Sequence, residues 1–199
     1  MGSPILLTLG YGKRSIADVI DLLQQHDVRY LADVRSVPYS RHHPGFSHDA
    51  LKAHLDTHHI TYLFMGEELG GRPNDASCYD DKGRVVYEAC MQRSAFRHGI
   101  ERLQKAWQQD QRVALLCSEA RPENCHRSKL IGVALKAEGL DVTHLDEDGT
   151  ALSQQEVMNR LHDGQLGLFA DQPIGKAATS RGAPGANLVR ADEGIRRPD

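Results

Sequence analysis

Residues 112–132 read RVALLCSEARPENCHRSKLIG, and their pattern decides the fold. Val113, Ala114, Leu115 and Leu116 form an unbroken apolar run, which suits a strand buried on both faces. A polar stretch broken by Pro122 follows, and from Cys125 onward Leu130, Ile131, Ala134 and Leu135 recur at helical spacing. Strand, short loop and helix in that order predict an α/β unit. Its loop lies where the free N–H groups of a helix start converge, the usual place for ligands in open α/β sheets.

Comparable apolar runs at residues 5–9, 28–34, 60–65 and 141–145 have room for helices between most of them. They predict a three-layer α/β domain over residues 1–163 with a mostly parallel five-stranded sheet. Ser15 with Asp18 and Ser153 with Glu156 have capping-box spacing, and Gly139 suits the residue after a helix. Residues 146–150 read as a turn, and Gly99 predicts a break in the helical stretch 85–107. From Gly164 the composition turns small and polar, which predicts a flexible tail over 164–199.

A net charge of −3 over 199 residues gives no whole-molecule field to recruit nucleic acid or membrane. The four cysteines lack the density of a disulfide scaffold, and no apolar run is long enough for a bilayer span or a signal peptide. The expected location is the cytoplasm, with reduced thiols.

The loop between Cys117 and Arg127 carries the chemistry. Asn124 is a candidate N-cap that would place Cys125, His126 and Arg127 in the first helical turn, where the dipole and a guanidinium favour a thiolate. Cys117 or Cys125 is the candidate nucleophile, and Asp33, Glu119 or His126 the candidate proton carrier. Arg35, Arg41 and Arg127 are candidate phosphate contacts. Asp33 and Arg35, two apart at a strand end, point the same way, so they either pair with each other or act separately. Of Glu67 and Glu68, Glu68 is favoured to face the pocket.

No metal ligand set is assigned. Cys-x7-Cys-His is not a recognised zinc spacing, and neighbouring residues on a helix diverge by about 100°. These residues favour a nucleotide- or nucleic-acid-directed enzyme of unknown reaction and cofactor. The alternatives are a non-catalytic nucleotide or nucleic-acid binding protein and a metal-binding protein, for which zinc is the best-matching ion.

This loop, together with LADVRSVPYSRHHPGFS at residues 31–47 and EELGGR at residues 67–72, resembles the bacterial family known as domain of unknown function 488. The likeness covers about residues 5–145. It implies a compact α/β domain with one polar pocket built from Asp33, Arg35, Ser40, Arg41, Gly70, Gly71, Cys117, Glu119, Cys125, His126 and Arg127. It implies no activity.

In the tail, Gln165-Leu166-Gly167-Leu168-Phe169 resembles the peptide by which bacterial replication and repair proteins dock on the DNA polymerase sliding clamp. Leu168 and Phe169 would enter a groove while Gln165 makes a polar contact, which places the protein in DNA maintenance. A labelled peptide of residues 163–171 should then bind a purified bacterial clamp, and Leu168→Ala or Phe169→Ala should abolish binding. No saturable binding below about 100 μM would remove the motif.

Overall fold

A computed structural model describes residues 5–161. The pentapeptide 165–169 lies outside them. Its centre is the parallel pair β1 (Ile5–Gly10) and β4 (Arg112–Cys117), in register from Ile5 opposite Arg112 to Gly10 opposite Cys117. Alternate side chains of these strands enter two different cores. Leu6, Val113 and Leu115 join one, while Leu7, Leu9, Ala114 and Leu116 join the other, so burial on both faces explains the continuous apolar runs.

β2 (Tyr30–Asp33), β3 (Thr61–Phe64), β5 (Thr143–Leu145) and β6 (Ala151–Ser153) complete a six-stranded sheet ordered β3-β2-β4-β1-β5-β6. All pairs are parallel except β5 with β6. The expected count of five missed β6. It is only three residues long and runs straight into a capping box, leaving too little sequence for a strand pattern.

Helices α1 (Ile16–Gln25) and α2 (His48–Thr57) cover one face through Val19, Leu23, Leu51 and Leu55. The other face is covered by α3 (Gly66–Leu69), α4 (Tyr87–Gln92), α5 (Ser94–Gln108) and α6 (Val133–Ala137), using Leu69, Cys90, Phe96, Ile100 and Leu135. The Ser15–Asp18 box forms at the start of α1, with Asp18 N–H donating to Ser15 Oγ at 3.1 Å and Ser15 N–H to Asp18 Oδ2 at 2.8 Å.

The break in the 85–107 region lies at Arg93, not at Gly99. Gly99 sits inside α5 because a Cβ there would meet Leu69 at 2.7 Å, so the glycine permits close approach of α3. The last helix, α7 (Gln154–Leu161), follows β6. No helix among the described residues is long and apolar enough to cross a membrane.

β1 leads into α1 on one face, whereas the neighbouring β4 leads into α6 on the other. Adjacent strands whose connections part in this way open a crevice at their carboxyl ends, the usual ligand position in such sheets.

A buried polar chain ties β6 and α7 to this arrangement. Thr8 Oγ1 lies 2.7 Å from His144 Nδ1, His144 Nε2 lies 2.6 Å from Gln154 Oε1, and Gln154 Nε2 donates to the Ser128 carbonyl at 3.0 Å. The amide orientation makes His144 a donor at Nε2, and in the neutral ring Nδ1 then accepts from the Thr8 hydroxyl. Burial pushes its pKa down to about 4, against the opposing pull of the Gln154 hydrogen bond. The unfolded chain therefore binds the extra proton, and the contribution is complete above about pH 6.5 and lost as pH falls toward 4. Urea midpoints should show about 2 kcal/mol lost from this site between pH 7.5 and 5. His144→Asn should flatten that slope.

Candidate metal centre

The loop after β4 is shaped by a 3₁₀ turn, Pro122–Asn124, which Pro122 starts with its fixed φ. Cys125 is extended at φ −118° and ψ 150°, and helical turns begin at His126, continuing as a π-helical segment Arg127–Gly132 into α6. The cap expected at Asn124 therefore falls one residue later. Cys125 Sγ itself accepts the Arg127 N–H at 3.5 Å. This shift also removes the objection from helical geometry, because Cys125 is not helical and its side chain need not diverge from that of His126.

Cys117, at the end of β4, and Cys125 are both buried, and their sulfurs each lie 3.7 Å from His126 Nδ1. The three potential ligand atoms are all within 4.8 Å of one another. His126 Nε2 is 2.9 Å from the Val34 carbonyl oxygen at the end of β2. A carbonyl can only accept, so Nε2 donates to it and Nδ1 is the ring nitrogen turned toward the two sulfurs. Of the two thiols, Cys117 is the more acidic. The Cys125 S–H hydrogen bond holds its pKa well down against burial, with help from His126, while burial and the Cys117 charge push Cys125 up.

Arg127 is fully buried beneath this loop. Its Nη1 donates to the Glu119 carbonyl and its Nη2 to the Ala120 carbonyl, the latter at 2.7 Å. Ser128 Oγ donates to the Pro122 carbonyl at 2.6 Å, and Tyr11 and Gly12 N–H groups bond the Cys117 and Ser118 carbonyls at 3.0 Å each. So Arg127 fastens the loop and does not line the cavity above it.

That cavity, of about 340 Å³, is lined by Cys117, Glu119, Cys125, His126, Arg35 and Gly71 among the expected residues, and by Tyr11, Ser36, Val37, Tyr39, Arg72, Tyr87, Ser118 and Asn124. Asp33 stands behind the wall. Its carboxylate accepts from Arg35 Nε at 2.8 Å, Arg35 Nη2 at 2.5 Å, the Arg35 N–H at 3.1 Å and the Tyr62 hydroxyl at 2.8 Å. Burial alone would lower the Arg35 pKa, but Asp33 more than reverses this, so the cation is fixed. Ser40, buried outside the lining, accepts from the Tyr11 hydroxyl at 3.3 Å, and Arg41 is exposed away from the cavity.

Glu68 is not in the cavity, because the strand ends at Phe64 and a helical turn carries Glu68 to Arg102, which donates to both its oxygens at 2.7 and 2.8 Å. The Gly70–Gly71 turn serves close packing. Gly70 abuts Ser36, and a Cβ on Gly71 would lie 2.6 Å from His126 Cγ and 2.8 Å from Nδ1.

Residues 15–134 match the family described as Domain of unknown function DUF488. The chain belongs to that family. The match covers well over half of the sequence and contains Asp33, Arg35, Gly71, Cys117, Cys125 and His126. None of the curated proteins and none of the solved structures compared with the chain matches it.

Within the family domain, sequence reasoning missed Tyr62, Val37 and Tyr87. Tyr62 had a usable signal, being a polar-tipped residue in a strand beside the one that ends in Asp33. Tyr87 had none, since its position depends on how α4 packs. The Gly71 contact yields a prediction. Gly71→Ala should push the His126 ring off its position and weaken the hold of Cys117, Cys125 and His126 on an added metal such as zinc by about 10–100-fold, the size of effect seen when a ligand's support is lost. Competition against a chromophoric chelator would measure it.

Proposed function

We propose that the chain binds a divalent transition metal, with zinc the best match, through Cys117 Sγ, Cys125 Sγ and His126 Nδ1. The observation that carries this reading is the position of His126, with Nδ1 3.7 Å from both sulfurs and Nε2 tied to the Val34 carbonyl. Ligands at about 2.3 Å for sulfur and about 2.0–2.1 Å for nitrogen, set at a tetrahedral angle, stand about 3.6 Å apart. The 3.7 Å between His126 Nδ1 and each sulfur is already close to that. A backbone carbonyl holding the second ring nitrogen is the usual support for a ligating histidine.

Two cysteines and one histidine leave a fourth position, and here all three residues line the cavity, so that position opens onto it. A closed structural site would instead supply a fourth protein ligand, and among the described residues the cluster contains only these three. A metal there would act as a Lewis acid toward a ligand oxygen. The residues of the chain would bind and orient that ligand, with Glu119 on the cavity wall.

Zinc titration of the full chain in competition with a chromophoric chelator tests the reading. One equivalent bound, with net proton release on binding, is the expected result. Absence of saturable uptake by the folded, reduced protein would overturn it.

A further inference from the structure

The cavity is more than a passage to the thiols, because its wall contains a cation with one unused donor. Arg35 is only 5% exposed and is one of the residues that line the cavity. Its Nε and Nη2 are spent on Asp33, but Nη1 has no hydrogen-bond partner. A buried donor of a charged group left unpaired is costly, and the cost is one that a bound acceptor would remove. The guanidinium cannot turn to find another partner. Asp33 grips two of its nitrogens, Tyr62 braces Asp33 from behind, and the Tyr11 ring lies against it at 5.5 Å from centroid to Cζ.

Val37 and Tyr39, which also line the cavity, are 66% and 65% exposed, the two large hydrophobic residues most open to solvent among the described residues. They sit two and four residues beyond Arg35, so one loop presents a cationic donor at the wall and an apolar, partly aromatic edge. Large side chains left in the open beside a cavity mark a contact surface. Formal charge is nearly balanced there, since Arg35 and Arg72 are offset by Asp33 and Glu119. That suits a single oxyanion group better than a polyphosphate.

The geometry points to a small-molecule ligand with one carboxylate or phosphate group bound at Arg35 Nη1 and a planar apolar portion against Val37 and Tyr39. A volume of about 340 Å³ is of the size used for such ligands. This deepens the metal-centre reading, since the same cavity places the ligand beside Cys117, Cys125 and His126, but Arg35 binds an oxyanion whether or not the cluster holds metal.

The test is calorimetric titration of the full chain with benzoate, phenyl phosphate, inorganic phosphate and neutral benzamide, before and after chelation of metal. Benzoate or phenyl phosphate should bind about 10–100-fold more tightly than benzamide. Which of the two is preferred identifies the oxyanion. Tyr39→Ala, at an exposed position where the fold is not at stake, should weaken the aromatic oxyanions about three- to tenfold and leave inorganic phosphate unchanged. Arg35→Lys keeps a cation opposite Asp33 but loses the fork, and should abolish the preference for the charged ligands. Equal or absent binding of the charged and neutral aromatics in both metal states would overturn the inference. Zinc titration would still stand or fall by itself, so the two readings fail separately.

Discussion

Replacing Asp33 by Ala should cost about 3–5 kcal/mol of folding stability, a large part of the roughly 5–15 kcal/mol that holds a domain of this kind together. The carboxylate is wholly buried and accepts four hydrogen bonds. Removing it leaves the Arg35 guanidinium charged and desolvated with nothing opposite it. The Tyr62 hydroxyl and the Arg35 N–H lose their acceptor as well. Asp33→Asn retains the shape and part of the bonding and should cost less. Urea denaturation followed by circular dichroism checks both, and a loss below about 1 kcal/mol for Asp33→Ala would mean that the pair is far better solvated than its burial implies. Asp33 thus holds the Arg35 guanidinium in one orientation.

The second large effect is on metal affinity. Cys117→Ser should weaken zinc binding by more than about 100-fold, since removing a ligand must exceed the 10–100-fold loss that follows when only a ligand's support is removed. A serine hydroxyl is a poor replacement, as the thiolate supplies both charge and a soft donor. Cys90→Ser is the control. Cys90 is equally buried but belongs to α4 and faces the core, and burial, with a smaller push from Cys78, drives its pKa up to about 12, so it has no tendency to ionise. Its replacement should change stability and leave zinc affinity as it was. Equal affinity in the wild-type and Cys117→Ser proteins would place the metal elsewhere.

The sequence carried the fold where burial is two-sided and lost it where tertiary contacts decide. The apolar runs of β1 and β4 could be read directly, since both faces of each strand are covered. β6 could not, because its three residues owe their pairing to Thr143, His144 and Leu145 across a turn. Gly99 looked like a helix breaker from propensity alone, while its actual service is to let Leu69 and Glu68 approach α5.

At the candidate site, the dense run of ionisable groups between Cys117 and Arg127 is the loop that brings Cys117, Cys125 and His126 together. What the sequence withheld was orientation. Treating Cys125 as helical sent its side chain away from His126, whereas the extended backbone at Cys125 brings both toward Cys117. Arg127 looked like an anion clamp because nothing in the sequence shows that the Glu119 and Ala120 carbonyls turn inward to receive it. Glu68 is claimed by Arg102, 34 positions away, and no local pattern announces that pair.

Zinc K-edge X-ray absorption on the purified full chain tests the proposed centre most directly, since it reports ligand atoms as well as occupancy. Two sulfur scatterers at about 2.3 Å with nitrogen or oxygen at about 2.0–2.1 Å are expected, and Cys117→Ser should remove one of the sulfurs. A shell of nitrogen and oxygen alone, or a reduced and folded chain that takes up no zinc, would contradict a Cys117–Cys125–His126 metal centre.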